Sequence, residues 1–407
     1  MSLPEHLTLR TITGDERVAY MRAIGYQFGD EPTEERVRAR SEFIDQERSF
    51  AVFNADQIVG TARVIGFQMS VPGGGDIPLG GLSSVGVRTD HRRRGLLHQL
   101  MRRQLDDTVG RGEIASALYA SEAPIYGRFG YGPAVPYSNV TFRRERFALR
   151  TPASEVARDV VLVDAAQARE QCEPIYVQFL KLRAGAMHRT DHFWRRTLDP
   201  ASFIHDESNP RIAVLPGRGY VLFSVEPKWE AGLPDGTLKV QELVAVDPEA
   251  EAALWTFVAS VDLIGTIKAH ARPSRDVLAL AVEDPAHLKR AGSESMYLRL
   301  VDIAACLEAR TYDAAGSVTL GVTDPFLPDN TGTYRLHVGQ DGATCERVDG
   351  QPDLVMDVGT LSAAYLGGES FTRLAWGQRL DVHNTVALRQ ADRMFATPLA
   401  PWNPVHF

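Results

Sequence analysis

Residues 83 to 104 carry the densest chemical signal in the chain. Val85 and Val87 open a short β-branched alternation, and a polar basic turn, His91-Arg92-Arg93-Arg94-Gly95, breaks it. Leu96, Leu97, Leu100, Met101 and Leu105 then follow at helical spacing. The pattern predicts a strand, a basic loop and a helix, with Gly95 in the first turn. Unpaired backbone N–H groups and the positive end of a helix dipole converge at such a point, which makes it a site for phosphate. A residue without a side chain at 95 lets an anion come close to the backbone. A run of arginines alone would be an ordinary solvated surface; the strand before it and the glycine inside it set this one apart. A second stretch, Tyr119 to Ala134, holds Tyr126 in a glycine-rich turn just past a core strand. A tyrosine there is usually a packed aromatic, but this one is placed to meet a ligand lying between two splayed strands. Its phenol, of reference pKa about 10, stays protonated at neutral pH and can act as an acid.

The elements that must hold these residues can be read in order. Strands are expected at Leu7 to Ile12, Ser49 to Asn54, Gln57 to Met69, Ile114 to Ala120 and Val135 to Phe142. Helices are expected at Asp15 to Phe28 and Glu34 to Ile44, the second capped by Thr33, with a short one at Glu122 to Phe129. Gly73-Gly74-Gly75 reads as a turn, since no helix follows it. Leu149 to Arg158 reads as a linker without hydrophobic period. A second series follows, with strands at Val160 to Val163, Ile212 to Leu215, Gly219 to Glu226, Thr237 to Ala245 and Thr266 to Ala271. Its helices are Gln167 to Leu182, Phe193 to Leu198 and one from Pro248 to about Leu263, where the proline's missing N–H costs nothing. From Met296 onward, strands punctuated by glycine and helices at Val358 to Leu366, Ser370 to Trp376 and Thr385 to Met394 suggest an α+β domain.

The 407 residues, 44% hydrophobic and 24% charged, are those of an ordinary globular protein. No apolar run is long enough for a membrane span, and the opening Met1-Ser2-Leu3-Pro4-Glu5-His6 lacks a signal-peptide pattern. Three scattered cysteines form neither a disulfide framework nor a metal knuckle, so a cytoplasmic location is expected. The net charge of −8 argues against nucleic acid and favours cationic partners such as polyamines. His188 and His192 lack the glutamate and third ligand of a zinc site, no G-x-S-x-G elbow occurs, and no metal is expected.

The strand and Arg92-x-x-Gly95 loop resemble the acetyl-CoA loop of the GCN5-related N-acetyltransferases (GNAT), with Leu97 departing from that pattern's small last residue. Together with Ala120-Ser121-Glu122 and Ile125-Tyr126-Gly127-Arg128-Phe129-Gly130-Tyr131-Gly132-Pro133-Ala134, they resemble the Eis (enhanced intracellular survival) family. Leu307-Glu308-Ala309-Arg310, Tyr365-Leu366-Gly367 and the terminal aromatic extend the likeness over the whole chain. The resemblance implies mixed α+β architecture: an acetyl-CoA-binding GNAT domain (1–150), a non-catalytic GNAT-like domain (151–295) and a sterol-carrier-like domain (296–407). It implies acetyl-CoA as co-substrate on Val85, Gly86 and Val87, with Arg92, Arg93, Arg94, Gly95, Leu96, Leu97 and His98 around its pyrophosphate and Ser121 and Glu122 flanking it. Tyr126 would be the general acid that protonates the departing thiolate. The α-carboxylate of Phe407 would be the general base, its low reference pKa raised by burial. The substrates implied are small amines, aminoglycosides among them, and the assembly a homohexamer. An acidic, aromatic-lined cavity is expected, with Phe28, Asp30 and Glu31 as candidate linings. Two other readings stay open: a non-catalytic acyl-CoA sensor, and a narrow-substrate protein-lysine acetyltransferase.

Overall fold

The structure, a computed structural model, describes residues 3–30, 32–198 and 210–407. Its first unit runs Leu7–Thr11 (β1), Arg17–Phe28 (α1), Glu34–Ser41 (α2), Ser49–Asn54 (β2), Gln57–Ser70 (β3), Asp76–Val87 (β4), Leu96–Gly110 (α3), Ala115–Tyr119 (β5) and Gly132–Arg143 (β6). The Thr33 hydroxyl accepts from the Arg36 N–H at 3.4 Å and starts α2 as expected. Gly73 and Gly74, at φ +97° and +78°, make the β3–β4 turn. Helix α3 buries Leu96, Leu100, Met101, Gln104, Leu105 and Thr108. In the expected short helix at Glu122 to Phe129, Pro124 and Gly127 break the ladder into two 3₁₀ turns, Ala123–Ile125 and Gly127–Phe129.

One sheet of twelve strands runs through both GNAT-like units. At its centre the units interleave: β5 pairs with Lys289–Leu300, which pairs with β6, which pairs with Ile264–Pro273. Each unit's last strand therefore lies inside the other. Met296 to Leu300, expected to open the third domain, is the second half of the inserted strand, facing Tyr119 to Ala115 in register. Its first half, Lys289-Arg290-Ala291-Gly292, has no apolar alternation and gave no strand signal. Likewise, the expected linker contains a helical turn, Ser154–Ala157, and Leu149 and Ala153 are buried in the second unit's core.

The third domain packs a five-stranded sheet with four helices, Ile303–Ala309, Val358–Tyr365, Phe371–Trp376 and Thr385–Phe395. Every residue of Val358–Tyr365 is buried, because this helix is wedged between its own sheet and the shared strands. Gly132 shows how tight that wedge is: a Cβ there would lie 1.8 Å from the Gly359 carbonyl oxygen. One apolar core, from Phe67 through Phe179 and Leu361 to Trp402, joins all three domains. Fully burying each such side chain contributes about 1.5–3 kcal/mol.

Candidate active site

β4 and β5 run parallel from Leu79↔Ala115 to Leu82↔Leu118 and then part. Beyond that point Ser83 to Val87 stay paired to β3 on one edge only, with a bulge in which Ser84 takes φ +55°. Val85, Gly86 and Val87 thus line one lip of an opening; Tyr119, Ala120, Ser121 and Glu122 emerge on the other. Ser121 and Glu122 are exposed.

The loop after β4 is held rigid and presents free cations and backbone N–H groups, the donor set an anion needs. Arg88 grips Asp90 with two bonds of 2.8 and 2.5 Å, Asp90 reaches the His91 ring at 2.8 Å, and His91 meets Asn54 at 3.2 Å. This chain fixes the loop and leaves Arg92, Arg93 and Arg94 exposed. Arg92 and Arg93 have no polar side-chain partner among the described residues; Arg94 donates to the Asp90 carbonyl at 3.1 Å. Arg93 and Gly95 take left-handed φ of +62° and +81°, and no side chain caps the first turn of α3. Leu96 is buried, and Leu97 is half-buried against the same apolar cluster, so the loop's last residue is large because it packs. His98 faces the third domain, its ring 5.0 Å from Phe326.

Tyr126 is buried in the cluster that Val85, Val87, Leu97 and Ile125 pack against. Its ring meets Tyr131 edge-on at 6.2 Å, and its hydroxyl makes no hydrogen bond among the described residues. Burial, and then the Glu122 carboxylate, raise its pKa above 10, so the phenol is held protonated. The turn beyond it depends on the second unit. Arg299, wholly buried on Lys289–Leu300, donates to the Phe129 carbonyl at 2.5 Å and pairs with Asp324 at 2.7 Å. A Cβ at Gly130 would sit 1.6 Å from that guanidinium, and Gly130 takes φ +82°.

The C-terminal segment enters the same region. Trp402 donates from its indole to the Ala271 carbonyl at 2.6 Å, and buried Asn403 accepts from the Met187 N–H at 3.2 Å. Tyr119 donates to the Val405 carbonyl at 2.6 Å, and Tyr137 donates to the Asn403 carbonyl. The His406 ring lies tilted against that of Tyr119, 4.7 Å away. The Phe407 ring lies 5.0 Å from both Phe67 and Tyr119 and 3.0 Å from where a Cβ on Gly81 would be. Gly81 pairs with Ala117, one position before the strands part.

Sequence reasoning missed Gln27, at the end of α1. Its carbonyl accepts from the Thr61 hydroxyl at 2.8 Å, and its side chain lies over Gly86, where a Cβ would be 2.0 Å from Oε1. Its Nε2 is buried without a partner. Only the fold could show this, because residues 27, 61 and 86 share no spacing. Of the expected cavity linings, Phe28 is 52% exposed, Asp30 pairs with Arg40 at 3.4 Å, and Glu31 lies outside the described residues. His188 precedes the helix Asp191–Leu198 that carries His192, so the two share no helical face; among the described residues no group of side chains could hold a metal. None of the described helices is long and apolar enough to cross a membrane.

Two interleaved GNAT units, one with an exposed basic loop before an uncapped helix, and a sterol-carrier-like domain define an acyl-CoA-dependent N-acyltransferase. GNAT acetyltransferase families match residues 8–134 and 185–300, and a sterol carrier protein domain matches residues 303–404. The chain is 38% identical over 368 residues to an uncharacterized N-acetyltransferase of Streptomyces avermitilis, covering 89% of this chain and 90% of that one. It is 30% identical over 350 residues to the N-acetyltransferase Eis of Mycobacterium tuberculosis, covering 84% of each. The crystal structure of Eis1 from Mycobacterium abscessus superposes with a TM-score of 0.86 at 31% identity, covering 98% of this chain and 100% of that one. The chain belongs to the Eis family of N-acetyltransferases.

Proposed function

We propose that this chain transfers the acetyl group of acetyl-CoA directly to a primary amine, without a covalent acyl-enzyme. The observation that carries this reading is the parting of β4 from β5 beyond Leu82, with Tyr126 in the cluster that Val85 and Val87 pack against and the Phe407 ring against Tyr119. Acetyl-CoA lies along Val85, Gly86 and Val87. Its pyrophosphate is held by Arg92, Arg93 and Arg94 and by the N–H groups of the turn Gly95, Leu96, Leu97 and His98, with Ser121 and Glu122 beside it. The unpartnered Gln27 amide is a donor for the acyl or pantetheine carbonyl. The amine nitrogen attacks the thioester carbon; its proton passes to the Phe407 carboxylate, the C–S bond breaks, and the thiolate takes the Tyr126 proton. Glycosidic polyamines such as aminoglycosides belong in the substrate panel, and a hexamer is the assembly to test by light scattering.

The test is release of CoA thiol from acetyl-CoA with a panel of amines, in wild type and with one glycine added after Phe407. Turnover that falls about a hundredfold or more on extension, with acetyl-CoA affinity unchanged, fits a loss of general-base catalysis. Acetyl-CoA binding without turnover of any amine would favour the sensor.

A further inference from the structure

The surroundings of Phe407 have a chemistry that neither composition nor motif announces. An aromatic ladder runs from Phe43, two residues past α2, to the C-terminal segment. Phe43 stacks on His192 at 4.2 Å, His192 meets Phe193 at 5.3 Å, Phe193 meets Phe67 at 5.2 Å, and Phe67 meets Phe407 at 5.0 Å. Along it stand arginines, and the α-carboxylate of Phe407 lies at its far end. Arg195 covers Phe43, its Cζ 4.9 Å from the ring centroid, and Arg196 lies 5.9 Å from the centroid of Phe193. Arg63 projects from β3, four residues before Phe67 and between Ala62 and Val64, which pack in the α3-facing cluster. Alternation puts Arg63 on the opposite face from α3, away from the phosphate cradle. Arg40 comes from α2.

These guanidinia are poorly satisfied. Neither Arg63 nor Arg196, each only partly exposed, makes an ion pair or hydrogen bond among the described residues, and the Nε of Arg63 is sealed from solvent without a partner. Arg40 keeps one sealed nitrogen unpartnered despite its 3.4 Å pair with Asp30. Tyr20 and Asp45 act on Arg63 only at a distance: the Tyr20 hydroxyl donates to the Ala62 carbonyl at 2.8 Å, and one Asp45 oxygen accepts from the Glu47 N–H at 3.0 Å. The Phe407 carboxylate forms no ion pair with any of them among the described residues. Burial, and then Arg63 and Arg40, lower the pKa of Arg196; burial lowers that of Arg63. Burying charge without a counter-ion is costly, so an arrangement like this fits a ligand that brings the anion.

We propose that the amine substrate carries an oxyanion of its own, bound by Arg63 and Arg196 with Arg40 and Arg195 at the rim, while its amine points to Phe407. The inference rests on the acetyltransferase reading above and narrows its substrate class from polycations to zwitterions. Cationic walls also disfavour a second ammonium, and they lower the pKa of the incoming one, so more of it is the free base that attacks. The planar forks of arginine suit carboxylate and phosphate alike.

The experiment compares kcat/KM for matched sets: ω-amino carboxylates, aminoalkyl phosphates, n-alkylamines, diamines and an aminoglycoside. The anionic amines are expected to exceed alkylamines and diamines of equal length at least tenfold; whichever anionic set leads identifies the oxyanion. In Arg63→Met and Arg196→Met the preference should collapse through a raised KM for the anionic amines, with the KM of the alkylamines not raised. Because each variant removes an unpaired charge, Tm should hold or rise. Equal or better turnover of diamines and the aminoglycoside, or a Tm fall in both variants, would overturn the inference and leave the acetyltransferase intact. Silence toward every amine would sink the acetyltransferase instead. Calorimetric titration of 6-acetamidohexanoate into the CoA-saturated protein then still decides the anion site: binding lost in both variants supports it, and binding absent in wild type or unchanged in the variants overturns it.

Discussion

The two GNAT units begin their sheet-following helices in opposite ways. Helix α3 starts at Gly95 with no side-chain cap, and Arg92 and Arg93 stand free beside it. The corresponding helix of the second unit, Pro248–Ser260, starts at Asp247, whose carboxylate accepts from the Ala250 N–H at 2.9 Å. Arg218 clamps that carboxylate at 2.7 and 2.9 Å and reaches Glu249 at 2.8 Å. Both helix ends attract an anion for the same reason. In the second unit the protein supplies it, and Pro248 removes one donor besides. A phosphate cradle and a capped helix differ by which side chain takes the N–H groups.

The comparison also shows dependence, because the closed unit lends the strand that positions the open unit's tyrosine turn. Breaking that loan should have the largest effect. Arg299→Met leaves the buried Asp324 carboxylate with only neutral donors, from Asn330, Phe326 and Leu327, and frees the Phe129 carbonyl, a type of loss that costs about 3–5 kcal/mol. The denaturation midpoint should fall accordingly, and Gly130→Ala, which drives a methyl into the Arg299 guanidinium, should act in the same direction. A midpoint unchanged in both variants would mean that the turn stands without the second unit.

Next in size is the cradle itself. Arg92→Ala with Arg93→Ala should raise the acetyl-CoA dissociation constant about tenfold to a hundredfold, since each charge-assisted contact contributes about 1.5–3 kcal/mol when fully formed and less at an exposed site. Calorimetry of the Asp247→Gly variant should keep wild-type affinity and a single acetyl-CoA per chain. A second binding event there would show that the capping carboxylate alone had closed the second cradle.

The strand, basic loop and helix start of Val85 to His98 were legible because they are contiguous in one local motif. The GNAT, GNAT-like and sterol-carrier-like order was legible for the same reason, element by element. The interleaving was not, since Lys289 to Gly292 carries no alternation and a strand's neighbours are not written in its own residues. The arginine cluster was hidden more deeply. Arg40, Arg63, Arg195 and Arg196 are unremarkable surface residues in sequence, and a net charge of −8 pointed to cationic partners. Net charge describes the whole surface and says little about one cluster in it.

Smaller still is the stability held in the second cap. Asp247→Ala should cost about 1 kcal/mol, the usual loss for an N-cap, and should leave acetyl-CoA binding unchanged. Arg218 first, and the Ala250 N–H among the further causes, hold the Asp247 pKa below the ordinary carboxylate value. Its contribution is therefore complete above the unfolded pKa of about 4 and is lost as pH falls through the lowered folded value. The difference in midpoint between wild type and Asp247→Ala should vanish in that acid window; a constant difference would assign the cap's effect to something other than its charge.

The finest discrimination concerns the open unit's own carboxylate, Glu122. In the second unit a carboxylate next to cations is stabilised in its charged form; here Glu122 next to a buried phenol raises the Tyr126 pKa by opposing the phenolate, second to burial. Replacing it by glutamine removes that repulsion, so Tyr126 should ionise at lower pH. If Tyr126 donates the proton to the thiolate, the alkaline limb of the kcat profile must follow it downward in Glu122→Gln. The shift should be small, a few tenths of a pH unit, because Glu122 is exposed and water screens it. Activity near neutral pH should not change. An alkaline limb that persists unshifted in Glu122→Gln, and persists again in Tyr126→Phe, belongs to another group and removes Tyr126 from the reaction. A limb that moves with Glu122 and disappears with the hydroxyl ties the proton to that one phenol.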